Sequence, residues 1–170
     1  MDLKARIRDV PNFPKPGIIF KDITPLLQDR EAFQYVIKTL EITFKDKGID
    51  VVAAIDARGF IFGAPLAYEL NAAFVPVRKS GKLPPQTVKA EYALEYGTAA
   101  VEIRADGVME GKRVLIVDDL LATGGTMKAA VELVEKLGGK IAGIAVVVEL
   151  DFLEGRKQLR GHPIVSLVHY

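Results

Sequence analysis

Between Val117 and Thr126 the chain reads VDDLLATGGT. An apolar run ends in two carboxylates, Asp118 and Asp119. Five residues later comes a pair of glycines flanked by Thr123 and Thr126, and then a helix-like segment. Backbone N–H groups in a small-residue loop before a helix bind a phosphate dianion, and the helix dipole adds to the attraction. Gly124 and Gly125 permit close approach and positive φ, and the two threonines offer hydroxyl donors. There is no lysine of the P-loop type, and acids would repel a phosphate. Asp118 and Asp119 must therefore face another part of a ligand, and carboxylates suit vicinal hydroxyls such as those of a ribose. The alternative is an acid pair that caps a plain Gly-Gly turn. Adjacent acids closing a buried strand are unusual for a turn alone, which favours the binding reading.

Two further stretches place cations after apolar runs. In DARGF, Asp56 to Phe60, Arg58 stands in a turn before Gly59 and its guanidinium suits bidentate contact with phosphate. Taken alone it reads equally well as a surface arginine paired with Asp56. In RKSGKLP, Arg78 to Pro84, the cations Arg78, Lys79 and Lys82 cluster around a glycine. Taken alone this is as readily a solvated lysine-rich loop. In a protein of net charge +1, such a local excess suggests a polyanion. If all three stretches open on one edge of a sheet, they describe a ligand with a monophosphate, vicinal hydroxyls and a further highly anionic group.

The elements that must carry them follow from periodicity. Asp29 caps a helix over 30–47 with Phe33, Val36, Ile37, Leu40 and Phe44 on one face, and Gly48 ends it. VVAAI (51–55) and IAGIAVVVEL (141–150) read as buried strands, RVLIV (113–117) is apolar enough for a central parallel strand, and AFVPV (73–77) and IVSLV (164–168) are further strands. Residues 58–70 form a turn and helix, and residues 126–137 form another helix. Residues 88–96 alternate: Val88, Ala90, Tyr92, Leu94 and Tyr96 face one way, Lys89, Glu91 and Glu95 the other. This is a half-exposed ribbon that pairs with 98–103 around Gly97. The Pro-rich residues 10–28 are expected to be an irregular arm. Strands and helices alternate, so the fold class is α/β, a mostly parallel sheet flanked by helices with a small N-terminal arm or hood, in a single domain over 1–170. Such sheets bind ligands at the carboxyl ends of their strands.

The chain has 170 residues, 49% of them hydrophobic, and no cysteine. That excludes disulfides and thiolate metal sites and suits a cytoplasmic protein. The N-terminus lacks the apolar stretch of a signal peptide and no run is long enough to cross a membrane. The near-neutral charge argues against a nucleic-acid surface. His162 and His169 match no metal spacing and are expected to be structural.

These residues resemble the type I phosphoribosyltransferases, whose signature is an apolar strand, two acids and a Thr-Gly-Gly-Thr loop. NFPKPGIIFKDITPLL, ARGFIFG, RKSGKLP and LEYG extend the likeness over the chain from about Pro11 to Tyr170 and point to the adenine-using branch of that family. The resemblance implies this reaction: adenine and 5-phosphoribosyl 1-pyrophosphate give AMP and pyrophosphate with Mg²⁺, held mainly through substrate oxygens. It implies that Ala122, Thr123, Gly124, Gly125 and Thr126 hold the 5′-phosphate and that Asp118 and Asp119 hold the ribose hydroxyls. Arg58, Arg78, Lys79 and Lys82 would meet the pyrophosphate. Phe20 would stack on the purine, with the backbone of Ile19 and Lys21 reading its edge. Glu95 and Tyr96 would sit on a closing loop, with Glu95 as acid/base. Lys21 stands where the family often has Arg, so a side-chain contact to phosphate there would lack the guanidinium fork. The family is typically a homodimer. The rival readings are a phosphoribosyltransferase for another purine base, or a ligand-sensing regulator on the same fold. A regulator usually carries a DNA-binding domain, and the segment before Pro11 is too short for one.

Overall fold

A computed structural model describes residues 1–94, 97–107 and 110–170. It divides into two compact units, 1–39 and 40–170.

The first unit is more ordered than its prolines suggest. Strands β1 (Arg8–Pro11) and β2 (Ile19–Asp22) pair antiparallel, from Arg8 opposite Asp22 to Pro11 opposite Ile19. The loop between them is closed by its own polar groups: the Gly17 amide donates to Asn12 Oδ1 at 2.9 Å and the Phe13 amide to the Ile18 carbonyl at 3.3 Å. A short helix, α1 (Thr24–Gln28), follows, with Pro25 in its first turn, where a missing N–H costs nothing. The expected irregular arm is thus a hairpin and a helix. Its prolines lie at a strand end, in the loop and at a helix start, where proline is compatible with order. Helix α2 (Arg30–Phe44) begins at Asp29, whose Oδ1 accepts from the Glu31 and Ala32 amides at 3.0 and 3.1 Å. A 3₁₀ turn, Lys45–Lys47, completes the expected span, and Gly48 ends it at φ 62°.

The second unit is built on a seven-stranded sheet. Its strands are β3 (Val51–Ile55), β4 (Ala73–Lys79), β5 (Thr87–Ala93), β6 (Thr98–Arg104), β7 (Arg113–Leu121), β8 (Lys140–Glu149) and β9 (Ile164–His169), and their order is β5-β6-β4-β3-β7-β8-β9. The five strands from β4 to β9 are parallel, and β5 and β6 form an antiparallel hairpin at one edge. Helices α3 (Arg58–Glu69) and α4 (Gly125–Lys136) link parallel strands.

The apolar runs are continuous because both faces of the sheet are covered. Val51, Ala53 and Ile55 of β3 and Val114 and Ile116 of β7 share one core with Met127, Ala130, Val131, Leu133 and Val134 of α4. The alternate residues face α3. A Cβ on Gly63 would stand 2.4 Å from the Ala54 methyl and 3.7 Å from Val52, so only glycine lets α3 approach so closely. Phe62 and Leu66 of α3 are fully buried, and truncating such a residue to alanine costs about 2–5 kcal/mol. The hairpin keeps the expected alternation as far as Tyr92: Ala90 is buried, Val88 and Tyr92 pack on the core, and Lys89 and Glu91 are exposed, whereas Leu94, expected on the inner face, lies past the strand end and is exposed.

Candidate active site

Chain order sets where this sheet opens. From β3 the chain moves to β4 on one side, whereas from β7 it moves to β8 on the other. The carboxyl ends of β3 and β7 therefore part at a topological switch point, where open α/β sheets bind ligands. The two strands also differ in reach. β3 and β7 pair only as far as Ala54 and Val117, but β7 stays paired with β8 through Leu121 and Glu149. The acids accordingly lie within β7 rather than beyond its end, which corrects the expected strand of 113–117. Polar residues there remain extended because β8 supplies their backbone partners.

Asp119 is only 3% exposed. Arg58, the first residue of α3, brings its Nε to 3.0 Å from Asp119 Oδ2. The contact is one of charge without an aligned N–H···O bond, so this buried oxygen has no hydrogen-bond partner. Asp118 is half-buried, and its Oδ1 accepts from the Asp119 amide at 2.8 Å. Gly59 makes the approach possible: a Cβ there would stand 2.9 Å from the Val117 carbonyl and 3.1 Å from Asp118 Oδ1. Burial, reinforced by the charge of Asp119, pushes the Asp118 carboxyl well above the usual range. Burial also raises Asp119, and the Arg58 guanidinium opposes it.

The loop after β7 turns at Gly124, φ +88°, into the N-terminus of α4. A cavity of about 190 Å³ is lined by Arg58, Asp118 and Asp119 together with Ala122, Thr123, Gly124, Gly125 and Thr126. Eight of the residues singled out from the sequence thus share one hollow. A larger cavity, about 660 Å³, touches Thr123, Gly125 and Thr126 from outside and is walled by Tyr92, Leu94 and Lys128. It holds neither of the acids, and only the smaller hollow brings the acid pair and the Gly-Gly loop together.

One supporting residue was not foreseen. A Cβ on Gly155 would stand 2.3 Å from the Ala122 carbonyl, and one on Gly124 would stand 2.6 Å from the Gly155 carbonyl. The 155–159 turn therefore packs directly against the 122–124 loop. No periodicity marks Gly155, and only this packing explains it.

The cationic stretch begins inside β4, which runs two residues past its expected end to Lys79. The alternative partner considered for Arg58, Asp56, serves this stretch instead. Asp56 Oδ2 lies 3.2 Å from Arg78 Nε and 3.6 Å from Lys82 Nζ, and Arg78 also donates to the Lys82 carbonyl at 3.3 Å. Lys79 is exposed. Ile19, Phe20 and Lys21 belong to the first unit, on β2. Phe20 meets Phe13 edge-on with centroids 5.2 Å apart, and Lys21 Nζ lies 2.7 Å from Asp9 Oδ1. Glu95 and Tyr96 lie outside the described residues. His169 Nδ1 is 2.9 Å from Asp151 Oδ1 and 3.9 Å from Glu149 Oε2; sequence spacing could not reveal this grouping, because β9 brings His169 back to the end of β8. Arg156, 2.6 Å away, and the Ser166 hydroxyl already engage that glutamate.

A sheet with an acid pair and a phosphate-type loop at its switch point defines a class of protein, and comparison agrees with it. The family model described as a phosphoribosyl transferase domain matches residues 23–167, and the chain belongs to that family. Within it, the chain falls among the adenine phosphoribosyltransferases. It is 58% identical to the adenine phosphoribosyltransferase of Kosmotoga olearia over the full length of both chains. The crystal structure of the Thermoanaerobacter pseudethanolicus adenine phosphoribosyltransferase is 56% identical, with a TM-score of 0.96 over 99% of this chain and 98% of that one. The Saccharomyces cerevisiae enzyme, complexed with an imino-altritol bisphosphate and adenine, is 43% identical, with a TM-score of 0.92 over 98% of this chain and 96% of that one.

Proposed function

We propose that the protein transfers the phosphoribosyl group of 5-phosphoribosyl 1-pyrophosphate to adenine, giving AMP and pyrophosphate in purine salvage. The observation that carries the residue roles is Asp119 Oδ2, a buried carboxylate oxygen with no hydrogen-bond partner, in the same hollow as the phosphate loop. Buried acceptors are rarely left unpaired, and a ribose hydroxyl would supply the missing donor.

In this reading the amides and hydroxyls from Ala122 to Thr126 hold the 5′-phosphate, while Asp118 and Asp119 hold the ribose hydroxyls. As pyrophosphate leaves, positive charge develops at the anomeric carbon and ring oxygen, and two carboxylates fixed nearby favour it. Arg58, Arg78, Lys79 and Lys82 receive the departing charge. Adenine occupies the face of Phe20, its edge read by the backbone of Ile19 and Lys21. The Lys21 side chain is held by Asp9. Glu95 exchanges the purine proton, and Tyr96 contributes to substrate binding. The adjacent carboxylates of Asp118 and Asp119 fit a hard cation carried mainly on substrate oxygens. Mg²⁺, when bound, neutralises leaving-group charge.

We extend the proposal to a single functional domain over 1–170 and to a homodimer. Ile61 and Tyr68, exposed and seven residues apart on α3, offer one apolar helix face to such a partner. Among the described residues no helix is long and apolar enough to cross a membrane, and the absence of cysteine fits a cytoplasmic setting. Initial rates with adenine, hypoxanthine and guanine test the proposal. Turnover with adenine alone is expected. Faster turnover of a 6-oxopurine would reassign the base, and binding without turnover would leave a sensor.

A further inference from the structure

Asp119, Glu149 and Glu102 are charged residues buried as a whole, side chain and backbone together. Asp119 serves the reacting sugar and Glu149 is engaged by Arg156. Glu102, on β6 and 1% exposed, has no place in the reaction as described.

Its surroundings give it one. Glu102 Oε1 accepts from the amides of Gly81 at 3.0 Å and Leu83 at 3.3 Å. These two residues flank Lys82 in the cationic loop. Oε2 meets the Thr87 hydroxyl at 3.3 Å and Lys89 Nζ at 3.6 Å, where the same loop returns into β5. The carboxylate therefore grips both ends of the 80–87 segment. Register brings it there: β6 runs antiparallel to β4 with Glu102 opposite Arg78, and the Ser80 amide continues the ladder to the Ala100 carbonyl. Gly81 turns the loop at φ +88°. Burial alone would raise this carboxyl. The amides of Leu83 and Gly81, then Lys89 and Thr87, outweigh it and hold the group below its usual range, so it remains an anion near neutrality.

Asp56 draws Arg78 and Lys82 together, but the loop's cations can meet one polyanion only if its backbone is held in one shape. We propose that Glu102 is the positioning residue of the pyrophosphate-binding loop: through the Gly81 and Leu83 amides it fixes the turn that aims Lys82 and its neighbours at the leaving group. It touches no substrate. The inference rests on the assignment of Arg78, Lys79 and Lys82 to pyrophosphate.

Calorimetric titration of the full chain with pyrophosphate in Mg²⁺ buffer, and separately with AMP, tests it in Glu102→Gln, Glu102→Ala and Lys82→Ala. Glutamine keeps the shape but is a weaker, neutral acceptor. It is expected to weaken pyrophosphate several-fold, and alanine to weaken it about tenfold or more, with AMP affinity within twofold of the parent in both. Should Glu102→Ala fail to fold, the isosteric glutamine variant decides alone. Native pyrophosphate affinity in Glu102→Gln, or equal loss for pyrophosphate and AMP, would overturn the proposal while Lys82→Ala still weakens pyrophosphate. If Lys82→Ala binds pyrophosphate normally, the loop assignment itself is wrong.

Discussion

Arg58 Nε and Asp119 Oδ2 stand 3.0 Å apart, one at the start of α3 and the other deep in β7. The pair spans the point where the sheet changes direction, so two distant parts of the sequence meet in one hollow. The cation also restrains what burial does to the acid: the Asp119 carboxyl rises, but Arg58 opposes the rise. A buried carboxyl next to a half-exposed arginine is suited to a sugar that becomes positively charged as an anion departs.

Asp119→Asn keeps the size and most of the hydrogen-bonding capacity and removes the charge. If the charge favours the transition state over the ground state, kcat should fall by about 10²–10³ with a smaller change in KM. Steady-state kinetics on a variant that melts normally checks this. A near-native kcat would reduce the acid to a capping role, for which Asn is also competent.

Gly155→Ala tests the packing against the phosphate loop. The new methyl would press on the Ala122 carbonyl and the Gly124 amide. Overpacking of this kind costs about 1–3 kcal/mol, and AMP affinity should drop because the same atoms shape the anion site. Thermal melts with AMP titration would show both effects together. Gly125→Ala is the contrast, since its Cβ would meet Tyr92 at an ordinary 3.5 Å. The glycine at 124 is a poor probe of ligand contact alone, because any side chain there meets Gly155 first.

The buried strands were legible because each is an unbroken apolar run between turn residues. The acid pair and the Gly-Gly loop were legible because their chemistry is local in sequence. What was not legible depends on strand order. Arg58 reads naturally as the partner of Asp56, two residues away, but β7 lies beside β3 and brings Asp119 instead. The end of β7 was misplaced for a related reason: polarity suggests a strand end, yet pairing with β8 holds Asp118 and Asp119 in line. The N-terminal hairpin was hidden by prolines that sit only where the ladder tolerates them. Glu102 and Gly155 carry no motif at all, and only their contacts identify them.

Glu95→Gln addresses the purine proton. If Glu95 acts as general acid/base, kcat should fall by about 10²–10⁴ while AMP and pyrophosphate affinities stay close to the parent. The acidic limb of the kcat profile should also disappear. A rate within threefold of the parent, with that limb intact, would move the proton transfer to another group or to water.

Asp118→Asn separates stability from catalysis through pH. Burial and the neighbouring Asp119 raise the Asp118 carboxyl well above the ordinary aspartate range, so the folded state holds this proton more tightly than the unfolded chain. Between those two values the unfolded state binds fewer protons, and stability falls as pH rises through the window and stays lower above it. Asn carries no such slope, and its Oδ1 can still accept the Asp119 amide. The ligand-free Asn variant should therefore melt higher than the parent at about pH 7, with an advantage that shrinks as pH is lowered and disappears below about pH 4. Its kcat should fall, because the ribose loses a charged partner. Melting curves of both proteins across pH decide the matter: a difference that does not change with pH would show that the Asp118 charge is not what strains the folded site.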